Sequence, residues 1–180
     1  MAKLYKKQFI INVRKDENKM DKKVLIMIVI AIMILVVVGG ILVINNTNKN
    51  IQIDIDELAA KIMETGAFTD DLAKIDSEMI KDDYGFTNEE IKEIVSYQGS
   101  GATSEEIVIL QVNDKSNLNS VKEKINTRLT ERKEAFESYL PEEVFKIDNN
   151  ILEVKGNYII MCISNDSNKV NEAINNYIKG

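Results

Sequence analysis

Twenty-one consecutive residues, Val24 to Ile44, carry no charge and no strongly polar side chain. As an α-helix they would be about 31 Å long, which matches the hydrocarbon thickness of a bilayer. A helix apolar on every face has no place on the surface of a small water-facing domain. The run is therefore expected to be a membrane span. It divides the chain into a tail at 1–23, the span at 24–44, a polar linker at 45–50 and a domain at 51–180.

Charge gives the span a direction. Residues 1–23 hold eight cations and three acids, a sum of +5, whereas residues 45–180 sum to −11, together the net −6 of the chain. Cations beside a span stay on the cytoplasmic side. The tail is expected inside and the acidic domain outside the cell membrane, a single-pass arrangement with the bilayer itself as one partner. The basic tail, with Leu4, Tyr5, Phe9, Ile10, Ile11 and Val13 interleaved, either lies against anionic lipid or serves only to set this topology. The apolar run exceeds a secretory signal peptide's 7–15 residues and no A-x-A site follows it, so an uncleaved anchor is expected. A domain of charge −11 is a poor match for phosphate, which argues against nucleic acid as a partner.

Beyond the linker the periodicity points to an α+β domain. Asp54 and Glu57 cap a helix with an apolar face at Ile55, Leu58, Ala59, Ile62 and Met63, stopped near Gly66. A short helix is expected from Asp76 to Tyr84, with Met79 and Ile80 inward and Gly85 as its break. Thr87–Glu90 reads as a capping box. Residues 94–98 and 105–112 (EEIVILQV) read as strands, the second apolar on both faces and so placed inside the sheet. A long helix follows from about Ser116 to Tyr139, with a stripe at Val121, Ile125, Leu129, Phe136 and Leu140, ended by Pro141. Two strands, 151–155 and 158–164, flank Gly156-Asn157, which suits a type II′ hairpin. A last helix spans Ser167 to Ile178. Two hairpins with helices between and after them predict a two-layer domain: one antiparallel sheet of about four strands, helices mainly on one face.

The chemistry available is narrow. There is no histidine, which removes nucleophile–histidine–acid catalysis in its common form and Cys/His zinc sites. The single cysteine, Cys162, lies in an apolar strand and reads as a small buried hydrophobe. Asp70-Asp71, Asp82-Asp83 and Glu89-Glu90 lack any calcium-loop spacing and read as solvated helix ends. No cofactor, no metal and no catalytic residue is indicated. Gly99-Ser100-Gly101 reads as hairpin loop. Arg128 and Arg132, one helical turn apart beside the apolar stripe, either recognise an anion or form structural ion pairs. The candidate binding residues are Gly99, Ser100, Gly101, Arg128, Arg132 and Tyr139.

Arg128-Leu129, Phe136, Tyr139, Pro141-Glu142, then Gly156-Asn157-Tyr158 and a strand ending in Ser164 form an ordered set of motifs. Upstream, Ser100-Gly101-Ala102 precedes Glu105-Glu106-Ile107, and Tyr84-Gly85 breaks a helix. In this the chain resembles the domain of unknown function 4358 over nearly all of residues 51–180. The resemblance implies a small exported domain of low-GC Gram-positive bacteria, carried on an N-terminal span or lipid anchor, without an assigned activity. The chain lacks the anchor cysteine of lipid-anchored members. The leading expectation is a membrane-anchored, non-enzymatic domain that binds a protein partner at the cell envelope. The alternatives are a sensor of a small ligand or cation signalling through the span, and a hydrolase using carboxylates alone.

Overall fold

A computed structural model describes Met27–Ile28 and residues 51–179. The basic tail, the linker and all of the apolar run except Met27–Ile28 lie outside the described residues. Among the described residues no helix is long and apolar enough to cross a membrane.

The chain from residue 50 onward forms one compact unit. Its elements are α1 (Ile55–Met63), β1 (Ala73–Ile75), α2 (Ser77–Tyr84), β2 (Ile91–Gln98), β3 (Glu106–Val112), α3 (Leu118–Tyr139), α4 (Val144–Asp148), β4 (Ile151–Lys155), β5 (Tyr158–Ile163) and α5 (Ser167–Lys179). Short 3-10 turns at Lys115–Asn117 and Pro141–Glu143 lead into α3 and α4. The five strands form one antiparallel sheet in the order β1-β2-β3-β5-β4.

The local chemistry explains the boundaries. The Asp54 carboxylate accepts the Glu57 N–H and starts α1. Asp76 does the same for α2, accepting from Glu78 and Met79, and Gly85 ends that helix at φ +64, a left-handed conformation glycine adopts without strain. At Thr87–Glu90 the Glu90 carboxylate accepts the Thr87 N–H, and the turn runs straight into β2, three residues earlier than the apolar pattern indicates. Gly156 is at φ +66 while Asn157 keeps a negative φ, as a II′ turn requires.

Two corrections concern the layers. The sheet has five strands; the three-residue edge strand β1 is too short to produce an alternating pattern. Helices cover both faces, so the domain has three layers, not two. Alternate residues of β3 enter different cores. Ile107 and Ile109 join Leu58 and Ile62 of α1, Cys162 of β5 and Val170 and Ile174 of α5. Val108, Leu110 and Val112 join Ile80 of α2, Val121, Ile125 and Leu129 of α3, and Ile147 of α4. β3 and β5 are buried along their whole length because both faces are covered. Each fully buried Ile or Leu contributes about 1.5–3 kcal/mol. A third correction is Met79, expected inward: it is 58% exposed, and Ile80 alone of that pair enters the core.

The sheet has two distinct ends. Ile51, the start of the described domain, lies beside Gly156 and borders one depression with Gln111, Asn113 and Asn157. That is the Val112 end of β3, where Val112 donates its N–H to Asn157 O. The other end, about 20 Å away along β3, gathers Gln98, Glu106 and Ile163 with the segments at 65–72, 99–105 and 140–150.

Candidate functional site

Charged residues at the far end of β3 hold four segments together. Glu105 and Glu106 are both fully buried, and their carboxylates enter separate clusters. Glu105 accepts the Thr69 N–H (2.9 Å) and hydroxyl (2.8 Å), the Asp70 N–H (2.9 Å) and Lys146 Nζ (3.0 Å). Lys146, on α4, also donates to Glu143 Oε1 at 3.0 Å and Thr69 Oγ1 at 3.1 Å. Glu143 completes the cluster by accepting the Ser104 N–H (2.8 Å) and hydroxyl (3.1 Å). Burial would lower the Lys146 pKa, but the hydrogen bonds its ammonium donates to Glu105 and Glu143 outweigh it and hold the group above its ordinary value. Burial likewise works to raise Glu143; the Ser104 N–H and Lys146 reverse that and hold its carboxyl below its ordinary value.

Glu106 meets a different set. Its Oε1 accepts the Tyr84 hydroxyl (2.9 Å) and Gln98 Nε2 (2.8 Å), and its Oε2 lies 3.3 Å from Arg132 Nε. Arg132 Nη2 also donates to Ser104 O at 3.1 Å, and its guanidinium stands 5.6 Å from the Phe136 ring centre. Burial, then the Glu106 charge, push the Tyr84 phenol well above its ordinary pKa, so it stays a donor.

The predicted residues fall into three places. Gly99, Ser100 and Gly101 form the β2–β3 turn, tied down by Asp70, whose Oδ2 accepts the Ser100 N–H and hydroxyl (both 2.8 Å) and the Thr103 hydroxyl (3.1 Å). Those bonds, the Ser100 N–H first, lower the Asp70 pKa. A Cβ on Gly99 would stand 2.6 Å from Thr103 Oγ1 and 2.8 Å from Asp70 Oδ2, so this turn is built around a glycine. Arg132 is joined to the same end through Ser104. Tyr139, 56% exposed, stacks on Phe136 with ring centres 5.0 Å apart.

Arg128 is separate. It lines a cleft of about 250 Å³ between α2 and α3 with Asp83, Tyr84, Lys124, Thr127 and Glu131. The two arginines thus differ: Arg132 is the counterion of buried Glu106, and Arg128 is not.

Sequence reasoning missed Glu105, Glu106, Glu143, Lys146 and Phe145. The signal for the first two was present. Two acids opening a strand apolar on both faces must be paired if they are buried. Phe145, 69% exposed on α4, carries no periodic signal because the helix has five residues. Cys162 is fully buried, and burial raises its thiol pKa far out of the reactive range. Glu105 and Glu143 converge on Lys146 inside the protein, not in a cleft. Among the described residues no group of three or more Cys, Asp or Glu could hold a metal ion.

The family model described as Domain of unknown function (DUF4358) matches residues 64–164, more than half the chain. The matched stretch includes every residue of the two buried ionic clusters. No curated protein and no solved structure matches the chain.

Proposed function

The chain belongs to the DUF4358 family, and from that premise we propose that it is a membrane-anchored, extracytoplasmic domain that binds a protein partner through the far end of its sheet. The observation that carries this reading is the rigid presentation of two exposed aromatics. Phe145 and Tyr139 flank the Pro141–Glu143 turn, with Phe145 69% exposed. The two residues after Phe145 are held inward: Lys146 by Glu105 and Glu143, and Ile147 in the core. An outward aromatic on a pre-ordered base loses little conformational entropy on binding, which is the character of an interface anchor.

The apolar run and the charge asymmetry support the anchor and its direction. Ile51, where the described domain begins, lies at the opposite end of the sheet from Phe145. The test is crosslinking in intact cells followed by affinity recovery of the full chain. The double substitution Phe145→Ser/Tyr139→Ser is expected to abolish recovery of a defined envelope protein while leaving the melting temperature within about 3 °C, the range of a surface change. Undiminished recovery with the double variant would remove the surface from the account.

A further inference from the structure

The two edges of the sheet differ. β1, at one side, is three residues long, and its Lys74 is held by Asp56 at 2.6 Å and lies over the Tyr97 ring. A short strand carrying a charge keeps a sheet edge from pairing with another chain. β4, at the other side, runs five residues, Ile151–Lys155, without proline and in unbroken register with β5. The two-residue turn at Gly156-Asn157 closes on Lys155 and Tyr158 as a hydrogen-bonded pair. By alternation Glu153 and Ile151 also bond β5, while Leu152 and Val154 turn their N–H and C=O groups away from it. Among the described residues no loop or turn backbone answers those groups. The Val154 side chain is itself 40% exposed.

The charges along β4 select what pairs with it. Glu153 and Lys155 share the face opposite Val154, 28% and 27% exposed, with Lys155 Nζ 2.7 Å from Glu153 Oε2. An acid and a base two residues apart are self-complementary under antiparallel pairing. With a twofold axis through Val154, Glu153 of each copy stands directly opposite Lys155 of the other, in two non-hydrogen-bonded pairs with Cα atoms about 4.5 Å apart. An axis at Glu153 or at Lys155 would instead set like charge against like. We propose that a second copy of this chain adds its β4 antiparallel to the first, centred on Val154, and joins the two five-stranded sheets edge to edge. Val154 meets its counterpart there, and the two exchange a pair of backbone hydrogen bonds. This surface goes beyond the aromatic one and uses separate residues, so either can fail without the other.

The test is disulfide crosslinking of the full-length chain in mild detergent under copper–phenanthroline oxidation, read on non-reducing gels. Cys162 is fully buried, so an introduced surface cysteine is the one that reacts. Val154→Cys brings two Cα atoms to about 5.5 Å, within disulfide reach. It is expected to give about tenfold more dimer than Ala73→Cys, placed at an exposed position of β1. Added to Val154→Cys, either Glu153→Lys or Lys155→Glu alone sets like charges opposite each other twice, and each is expected to cut the dimer about tenfold. Mixing those two variants returns opposite charges to both pairs and is expected to restore the adduct between them, a rescue that no folding defect produces. No excess of dimer at 154 over 73, or a mixture that crosslinks no better than either variant alone, would overturn the proposal.

Discussion

Replacing Lys146 by Met removes one ammonium from a cluster with no solvent to replace it. Lys146 Nζ bonds Glu105 and Glu143 at 3.0 Å each and Thr69 at 3.1 Å. Glu105, fully buried, keeps three donors afterwards: the N–H groups of Thr69 and Asp70 and the Thr69 hydroxyl. Glu143 keeps Ser104. Breaking a buried pair from one side costs about 3–5 kcal/mol, and the surviving donors place this case near the lower bound, about 3 kcal/mol. That is a large share of a typical domain's 5–15 kcal/mol. The assay is equilibrium urea unfolding of the 50–180 fragment followed by circular dichroism. Adding Glu105→Gln removes the orphaned charge while keeping an oxygen for the Thr69 and Asp70 N–H groups. The double variant is therefore expected to recover about 1.5 kcal/mol relative to Lys146→Met alone. A loss below about 1 kcal/mol for Lys146→Met, or a double variant no better than the single one, would refute the claim that this cluster stabilises the far end of the domain.

The two arginines should separate in the same assay. Arg132→Met leaves Glu106 buried without a counterion and is expected to cost about 2–4 kcal/mol, whereas Arg128→Gln is expected to change stability by less than about 1 kcal/mol. Stability should also fall at both pH extremes. Glu143 is held below its ordinary 4.5, so its contribution is complete above that pH and is lost as the pH falls through the lower folded value. Lys146 and Tyr84 are held above their ordinary 10.5 and 10.0, so their contributions are complete below those values and are lost as the pH rises through the higher folded ones. Urea midpoints between pH 3 and 12 measure both flanks, and Glu143→Gln should flatten the acid one. For the anchor, the full chain is expected to stay in the membrane pellet after alkaline carbonate washing, with residues 51–180 digested by protease added to intact cells; release into the wash would contradict it.

Much of the fold can be read from local chemistry. Asp54, Asp76, Gly85, Pro141 and Gly156 act within a few residues of themselves, so their capping and turn roles are visible in the chain. The layering is encoded less directly, in the central strand rather than in the helices. EEIVILQV is apolar on both faces, and a strand of that kind needs helices on both sides. Counting the faces of β3, rather than the number of helices, leads to three layers. The site was less legible for a physical reason. Its contacts join residues up to 77 apart, as between Lys146 and Thr69, and no local period encodes such pairing. Arg128 and Arg132 look alike in sequence because both lie beside the apolar stripe of α3. Only the position of Glu106 on β3 makes one of them a counterion and leaves the other facing a cleft.

The partner-binding surface is tested most directly by site-specific photocrosslinking in living cells of the native host. A benzophenone amino acid is placed in the full chain at Phe145, at Tyr139, and at Lys115 at the opposite end of the sheet. The account predicts one discrete adduct of the same mass from positions 145 and 139 and none from 115. Equal adducts from all three positions, or none from 145 and 139, would contradict it.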